Sequence, residues 1–337
     1  ELQRALEPLR YAPDEGQRTS LLDAMQAAHA PQSATLAGER AGRRRRRWVW
    51  PLALAAAAAA AVVVVVALVV GRSPRQPPVR GRGWPVQRLA GTPRVGGKAI
   101  VDRAALGVGQ WLETDGGSRA RLVVANIGRL AVSPDTRLQL LRSGAREHRL
   151  RLQRGTIHAR VTAPPRLFVV ETPSAQAVDL GCAYTLAVDA RGGATLTVTS
   201  GAVALEHGKR SAFVPVGARC ETRRGHGPGT PYAVGASSKL VSALRRFDFD
   251  SGGAAALRET LDAARAADSL TLWHLVGRAD EAGRAAVVRR ARALGIALPA
   301  GVEAESLVRG DRRALSRWRT LLEPLWQTRG HQRLRRK

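Results

Sequence analysis

The ten residues LQRGTIHARV, at positions 152–161, show the pattern that decides the fold of this chain. Polar and apolar side chains alternate around Gly155, which is typical of two short β-strands separated by a glycine. A second segment, VTSGAVALEH at positions 198–207, places Gly201 in a similar position. Together these segments predict a region built from short strands and glycine turns.

The same alternation extends over residues 86–227. Ten strands are predicted there, at residues 119–124, 129–132, 136–141, 149–153, 156–161, 167–172, 175–179, 184–188, 195–199 and 202–206. Many short strands with regular turns favour a β-sandwich, a barrel, or a solenoid of stacked β-coils, and the spacing does not choose among the three.

Residues 228–337 have the periodicity of helices. The candidates are residues 239–247, 254–265, 269–276, 280–294 and 312–325, with Gly295 ending the fourth. Such short helices joined by brief turns predict one or two antiparallel helical hairpins in a C-terminal helical domain. We interpret Trp273, Trp318 and Trp326 as core residues rather than as a ligand site.

An uncharged apolar run, WVWPLALAAAAAAAVVVVVALVV, extends from Trp48 to Val70. Its length of about 23 residues predicts a transmembrane helix. A buried alanine-rich helix of a soluble protein would normally show a polar face, and this run has none. A cleaved signal peptide would end in a small-residue cleavage site, which is also missing here. The arginines at 43–47 predict that residues 1–47 face the cytoplasm and that the bulk of the chain lies on the other side of the membrane.

The segments on either side of this run have different compositions. Residues 1–47 predict short cytoplasmic helices, on which Leu6, Leu9, Leu22 and Met25 are candidate partner-binding residues. Residues 71–85 are rich in proline, glycine and arginine, and this composition predicts an extended linker.

The net charge of +27 comes almost entirely from arginine. Such a charge can indicate nucleic-acid binding, but aromatic residues that would stack on bases are nearly absent, so we predict no nucleic-acid partner. The basic surface is equally suited to anionic lipids or envelope polymers.

We find no pattern that predicts catalysis, so the chain is not expected to be an enzyme. No cofactor is expected, and the spacing of His207, Cys220 and His226 matches no established zinc site. Asp179 and Asp189 are interpreted as solvated turn carboxylates. Cys182 and Cys220 either form a disulfide or remain two buried thiols on neighbouring strands, because sequence does not show their separation.

Seven phrases within the β region occur in a recognisable order. They are QWLETD (110–115), SRARLVV (118–124), LAVSPDTRLQL (130–140), LRLQRGTIHARV (150–161), FVVETP (168–173), VDLGCAYTL (178–186) and LTVTSGAV (196–203). This series resembles the FecR-domain family of single-pass bacterial inner-membrane regulators, which relay envelope signals to extracytoplasmic-function sigma factors.

The resemblance implies a signal transducer of the anti-sigma type in the bacterial inner membrane, with a cytoplasmic N-terminus and a periplasmic sensing domain. It implies a sigma factor as the partner of residues 1–47 and an envelope protein or polymer as the partner outside. Residues 1–47 lack the tryptophan-containing helices of the family. The alternative is therefore a membrane-anchored module that binds peptidoglycan or another anionic polymer without touching a sigma factor.

Overall fold

The computed structural model describes residues 83–335. The predictions for the cytoplasmic segment 1–47, the apolar run 48–70 and most of the linker 71–85 fall outside the described residues. Residues 80–337 form one compact unit, so the β-strands and the C-terminal helices belong to the same body.

The predicted fold class, which combined a β region with a transmembrane helix, needs correction. Within residues 83–335, no helix is both long enough and apolar enough to cross a membrane. The longest, Arg312–Arg335, has 24 residues but carries seven arginines, toward its two ends. The run from Trp48 to Val70 lies outside the described residues. The structure is mainly β sheet, followed by helices at the C-terminal end.

Eighteen strands are present in the described part of the chain. In order they are β1 Trp84–Ala90, β2 Arg94–Val95, β3 Lys98–Ala99, β4 Arg103–Leu106, β5 Trp111–Glu113, β6 Arg119–Val124, β7 Gly128–Val132, β8 Arg137–Ser143, β9 His148–Val161, β10 Phe168–Glu171, β11 Gln176–Asp179, β12 Ala183–Val188, β13 Ala194–Ser200, β14 Ala202–His207, β15 Arg210–Pro215, β16 Ala218–Arg223, β17 Gly227–Pro228 and β18 Tyr232–Ala233.

These strands form two sheets. Sheet A has the order β4-β1-β6-β7-β9-β12-β13-β16, with β17 and β18 both paired to β16. Sheet B has the order β3-β2-β5-β8-β9-β10-β11-β14-β15. All pairings are antiparallel except β9 with β10. The chain returns several times from one sheet to the other, so sequence neighbours repeatedly lie in opposite layers.

Strand β9 belongs to both sheets, because its first half pairs in sheet B and its second half in sheet A. Two strands were predicted here, on either side of Gly155, but the structure has one continuous strand of 14 residues. Gly155 has φ +89°, and a Cβ atom at this position would lie 2.4 Å from the Cα of Thr136. The glycine therefore bends the strand and lets it pass close to the segment before β8.

The core lies between the two sheets and follows from the alternation in each strand. In β6 the buried residues are Ala120, Leu122 and Val124, while the residues between them are exposed. Leu138 of sheet B and Leu130 of sheet A belong to the same apolar cluster. Because the inner faces of both sheets share one core, the β region is a two-layer sandwich.

Within residues 83–335, six α-helices follow the strands, with a short 3-10 helix at Ala266–Asp268 before the third: α1 Ser238–Phe249, α2 Gly253–Ala263, α3 Ser269–Val276, α4 Glu281–Ala293, α5 Ala304–Val308 and α6 Arg312–Arg335. The predicted positions of five are confirmed within a few residues, except that α6 continues about ten residues further. The short α5 was not predicted.

The helices pack against β15 of sheet B and against β13 and β18 of sheet A. The rings of Phe213 and Trp326 are 6.4 Å apart, and the indole of Trp326 donates to Ser269 Oγ at 3.0 Å. Trp318 and Trp326 are buried, as predicted for core residues. Gly330 of α6 lies so close to the β15–β16 turn that an added Cβ would be 2.1 Å from the carbonyl oxygen of Val216.

Candidate functional site: an arginine face on sheet A

The outer face of sheet A carries arginines that the strand alternation turns toward solvent. In β6 the inward residues are apolar, so Arg119 and Arg121 point outward. In β9 Ile157 and Ala159 point into the core, so His158 and Arg160 are exposed. We define the arginine face as Arg103, Arg119, Arg121, Arg129 and Arg160, which lie on β4, β6, β7 and β9.

The register of the strands brings these arginines together. Arg129 of β7 lies directly opposite Arg160 of β9. Arg121 lies opposite Ala131, which in turn lies opposite His158. Cβ atoms directly opposite in antiparallel strands are about 5 Å apart, so the two guanidinium groups of Arg129 and Arg160 belong to one small patch of surface.

Carboxylates are nearly absent from this face. Within residues 83–335, no hydrogen bond or ion pair involves the side chains of Arg119, Arg129 or Arg160. Arg121 donates to the neutral side chain of Gln87 at 3.4 Å. Arg103 has Asp102 at 3.7 Å, but both side chains are more than three-quarters exposed, so this ion pair contributes little.

The outer face of sheet B is different, because most of its arginines are paired, although Arg94 and Arg154 have no ion pair among the described residues. Arg149 contacts Glu147 at 2.5 Å and Glu171 at 2.8 Å, and Arg151 contacts Glu171 at 3.2 Å. The hydrogen bond from Arg149 lowers the pKa of Glu147 below its ordinary value. The other pairs on this side are Arg137 with Glu113, Arg142 with Glu147, and Arg166 with Glu206. The abundance of arginine alone therefore does not explain the unpaired cluster on sheet A.

Next to the arginines, sheet A presents a neutral surface of short side chains. His158 Nδ1 lies 2.9 Å from Thr185 Oγ1, and His158 Nε2 lies 3.3 Å from Ser133 Oγ. Thr197 follows opposite Thr185, and it accepts a hydrogen bond from Arg219 at 3.2 Å. Arginines therefore lie at one side of this face and threonines at the other.

Glu221 is the carboxylate at the far end of this face, on β16, and it already has partners. It accepts from Arg245 at 2.6 and 2.7 Å and from the Tyr232 hydroxyl at 2.7 Å. Burial opposes ionisation, but the bonds from Arg245 and Tyr232 outweigh it and lower the pKa of Glu221. Glu221 therefore stays ionised and engaged, and it does not neutralise the arginine face.

Asp179, which was interpreted as a solvated turn carboxylate, is instead buried with 1% of its surface exposed. Its oxygens accept from the Gly181 N–H at 2.7 Å and from the Cys182 thiol at 2.9 Å. Burial raises the pKa of Asp179 to about 6. Asp189 does lie in a turn, where it accepts from the N–H groups of Arg191 and Gly193.

The two cysteines are free and buried, and the structure does not bring them together. Cys182 precedes β12 and contacts Asp179, whereas Cys220 of β16 lies opposite Leu196 and donates to the Gly229 carbonyl at 3.2 Å. Burial raises the pKa of both thiols. Neither therefore has the exposed, thiolate character of a reactive cysteine.

The other predicted site residues fall outside this surface. Leu6, Leu9, Leu22 and Met25 lie outside the described residues, as do Trp48 and Val70. No group of three or more potential metal ligands occurs within residues 83–335. The arginine face itself was not predicted, because the arginines of these strands were considered only as a net charge. Their alternation with apolar residues in RARLVV and TIHARV was the available signal, but it does not show which strands are neighbours.

Comparison with known proteins identifies part of the chain. Residues 110–204 match the family described as FecR protein, which confirms the resemblance predicted for residues 109–205. The matched segment begins just before β5, ends within β14 and contains four of the five arginines of the arginine face. No curated protein matches the chain.

Two crystal structures of a proposed anti-sigma factor from Parabacteroides distasonis are similar to it at 12% sequence identity and a TM-score of 0.33. The likeness covers 40% of this chain and 62% and 63% of those chains, which is less than two thirds of their length.

Proposed function

We propose that this chain, which carries a FecR domain at residues 110–204, regulates an extracytoplasmic-function sigma factor in response to a signal received by that domain. The family match is the observation that carries this proposal. It is a regulatory role rather than an enzymatic one.

The proposal places the two ends of the chain in different compartments. Residues 1–47 act in the cytoplasm, where Leu6, Leu9, Leu22 and Met25 contact the sigma factor. Residues 83–335 lie on the periplasmic side of the bacterial inner membrane and receive the signal. An alkaline phosphatase fused after residue 337 tests the location, since this enzyme is active only after export. An inactive fusion of normal abundance would contradict it.

The experiment that tests the function is recovery of the full chain from cells of its source, followed by mass spectrometry. We expect a sigma factor to co-purify and to be lost when Leu6, Leu9, Leu22 and Met25 are all changed to Asp. The matched control changes Gln3, Gln17, Gln26 and Gln32 to Asp, which adds the same charge at polar positions. Absence of any sigma factor from the native chain would refute the proposal.

A second candidate function is supported by the arginine face. A module that binds an anionic envelope polymer such as peptidoglycan needs an exposed basic surface, and the face provides one. In that case the full chain would sediment with purified cell wall in a salt-sensitive manner, and no sigma factor would be recovered.

A further inference from the structure

We propose that the arginine face binds the acidic surface of a folded partner protein. This inference goes beyond the regulatory role and does not depend on it, because it concerns only residues 103–160 of sheet A. It rests on three observations: four of the five arginines lack a carboxylate partner among the described residues, the side chains between them are short, and the spacing suits carboxylates.

The first observation is the uncompensated charge. Like charges directly opposite each other in a sheet are destabilising, and Arg129 faces Arg160 across β7 and β9. Arg119 has no hydrogen-bond or ion-pair partner among residues 83–335 either. Sheet B shows that this chain pairs arginines with glutamates elsewhere. An acidic partner would supply the carboxylates that sheet A lacks.

The second observation is the shape of the face. Short side chains such as Ala131 and Ala183 lie beside the arginines. Two surface pockets of the described residues lie elsewhere: one is lined within residues 292–305, and the other within residues 215–218 and 267–270 and by Ala233 and Trp326. Small ligands bind in concave sites. No tryptophan, tyrosine or phenylalanine of the described residues belongs to the face, and its one ring, His158, already has Thr185 Oγ1 and Ser133 Oγ within hydrogen-bond distance, so the face offers little on which a base or sugar could stack. A basic surface of short side chains and arginines instead fits the acidic surface of a protein.

The third observation is the chemistry and spacing of the guanidinium groups. Arginine binds a carboxylate through two parallel N–H donors, a geometry that lysine cannot reproduce. Residues two apart on one strand, such as Arg119 and Arg121, are about 7 Å apart, and Arg129 and Arg160 are about 5 Å apart across the strands. Aspartates and glutamates on neighbouring strands or helical turns of a partner have similar spacings.

The experiment measures binding of fluorescently labelled poly-L-glutamate to the full chain by anisotropy, at several salt concentrations. We expect Arg129→Gln with Arg160→Gln to weaken binding by about tenfold or more. The matched control is Arg142→Gln with Arg151→Gln, which removes the same charge from sheet B and should change affinity less than about twofold. Equal losses in the two double variants would show attraction to net charge alone and would overturn the proposal.

Two further arms separate the kinds of partner. Arg129→Lys with Arg160→Lys keeps the charge and should lose affinity for poly-L-glutamate, because bidentate contacts disappear. Polygalacturonate carries carboxylates on a sugar polymer and is expected to bind more weakly than poly-L-glutamate. Binding of both polymers with the same dependence on Arg129 and Arg160 would overturn the protein-partner assignment in favour of a polysaccharide. Because no sigma factor is present, these results are independent of the regulatory proposal.

Discussion

Asp248 of α1 accepts hydrogen bonds from two arginines that come from different parts of the fold. Its Oδ1 atom lies 2.7 Å from Arg210 Nη2 on β15 and 3.1 Å from Arg278 Nη1 after α3. Its Oδ2 atom accepts from the Thr230 N–H at 2.6 Å. Arg278 also donates to the carbonyls of Pro228 and Ser211. This buried carboxylate therefore ties the helices to the strands.

Changing Asp248 to Asn should destabilise the protein by about 3–5 kcal/mol, because the buried Arg278 guanidinium loses its counter-charge. The control is Asp250→Asn, which removes an ion pair with Arg223 that is about half exposed and should cost less than about 1 kcal/mol. Urea denaturation followed by tryptophan fluorescence measures both. Similar losses in the two variants would contradict the role assigned to Asp248.

Asp179 predicts a specific dependence of stability on pH. Burial raises its pKa from 3.8 to about 6, so the folded state holds the proton more tightly than the unfolded state does. The stabilisation is complete below pH 4, is lost as the pH rises through 6, and amounts to about 3 kcal/mol at one pKa unit per 1.36 kcal/mol.

Asp179→Asn removes this titration, so the free energy of unfolding of the variant should rise relative to the native protein between pH 4 and pH 7. Urea denaturation at several pH values measures the difference, in which the titration of all other groups cancels. Two parallel curves would show that Asp179 is not the group responsible.

Two tyrosines provide a paired test of hydrogen bonding. The Tyr184 hydroxyl is buried and has no hydrogen-bond partner in the part of the chain that the structure describes. Tyr184→Phe should therefore leave stability unchanged or raise it by about 1 kcal/mol. Tyr232→Phe removes a 2.7 Å bond to Glu221 and should cost about 1–2 kcal/mol. Thermal unfolding compares them, and a larger loss for Tyr184→Phe would reveal a partner for its hydroxyl.

Alanine substitutions at Gly155 and Gly97 distinguish the cost of backbone strain from the cost of a steric clash. Both have positive φ, at +89° and +80°, but only Gly155 has neighbouring atoms within 4 Å of an added Cβ. Gly97→Ala should cost about 1–2 kcal/mol. Gly155→Ala should cost several kcal/mol more, since β9 would have to move away from Thr136. Chemical denaturation measures the free energy of unfolding of both variants. Equal losses would mean that β9 can move away from Thr136 at little cost.

Much of the fold could be predicted from local patterns. Alternation in RARLVV located β6, and periodicity located α3, because these signals depend on residues close in sequence. The continuity of β9 through Gly155 could not be predicted, since it depends on pairing with β8 on one half and β7 on the other. The burial of Asp179 was missed for a similar reason, because the layers that cover it are distant in sequence.

The arginine face could not be predicted for the same reason, because the sequence does not show which strands are neighbours. The sequence displays Arg129 and Arg160 as two residues about thirty positions apart. Only the register of β7 and β9 places them opposite each other. The family resemblance could be predicted because it depends on the order of short phrases, and order is visible in a single chain.

The position of β9 between two sheets has a consequence for how the chain matures during synthesis. Strands β7 and β8, which pair with one side of β9, precede it on the chain, whereas β10 and β12, which pair with the other side, follow it. As the polypeptide emerges, both halves of β9 keep an unpaired edge until these later strands arrive, and such edges promote aggregation. A chain that has emerged from the ribosome only to about residue 165 should therefore expose the unpaired edges of β9 to chaperones, whereas in a chain that has emerged past residue 188 those edges of β9 are paired with β10 and β12.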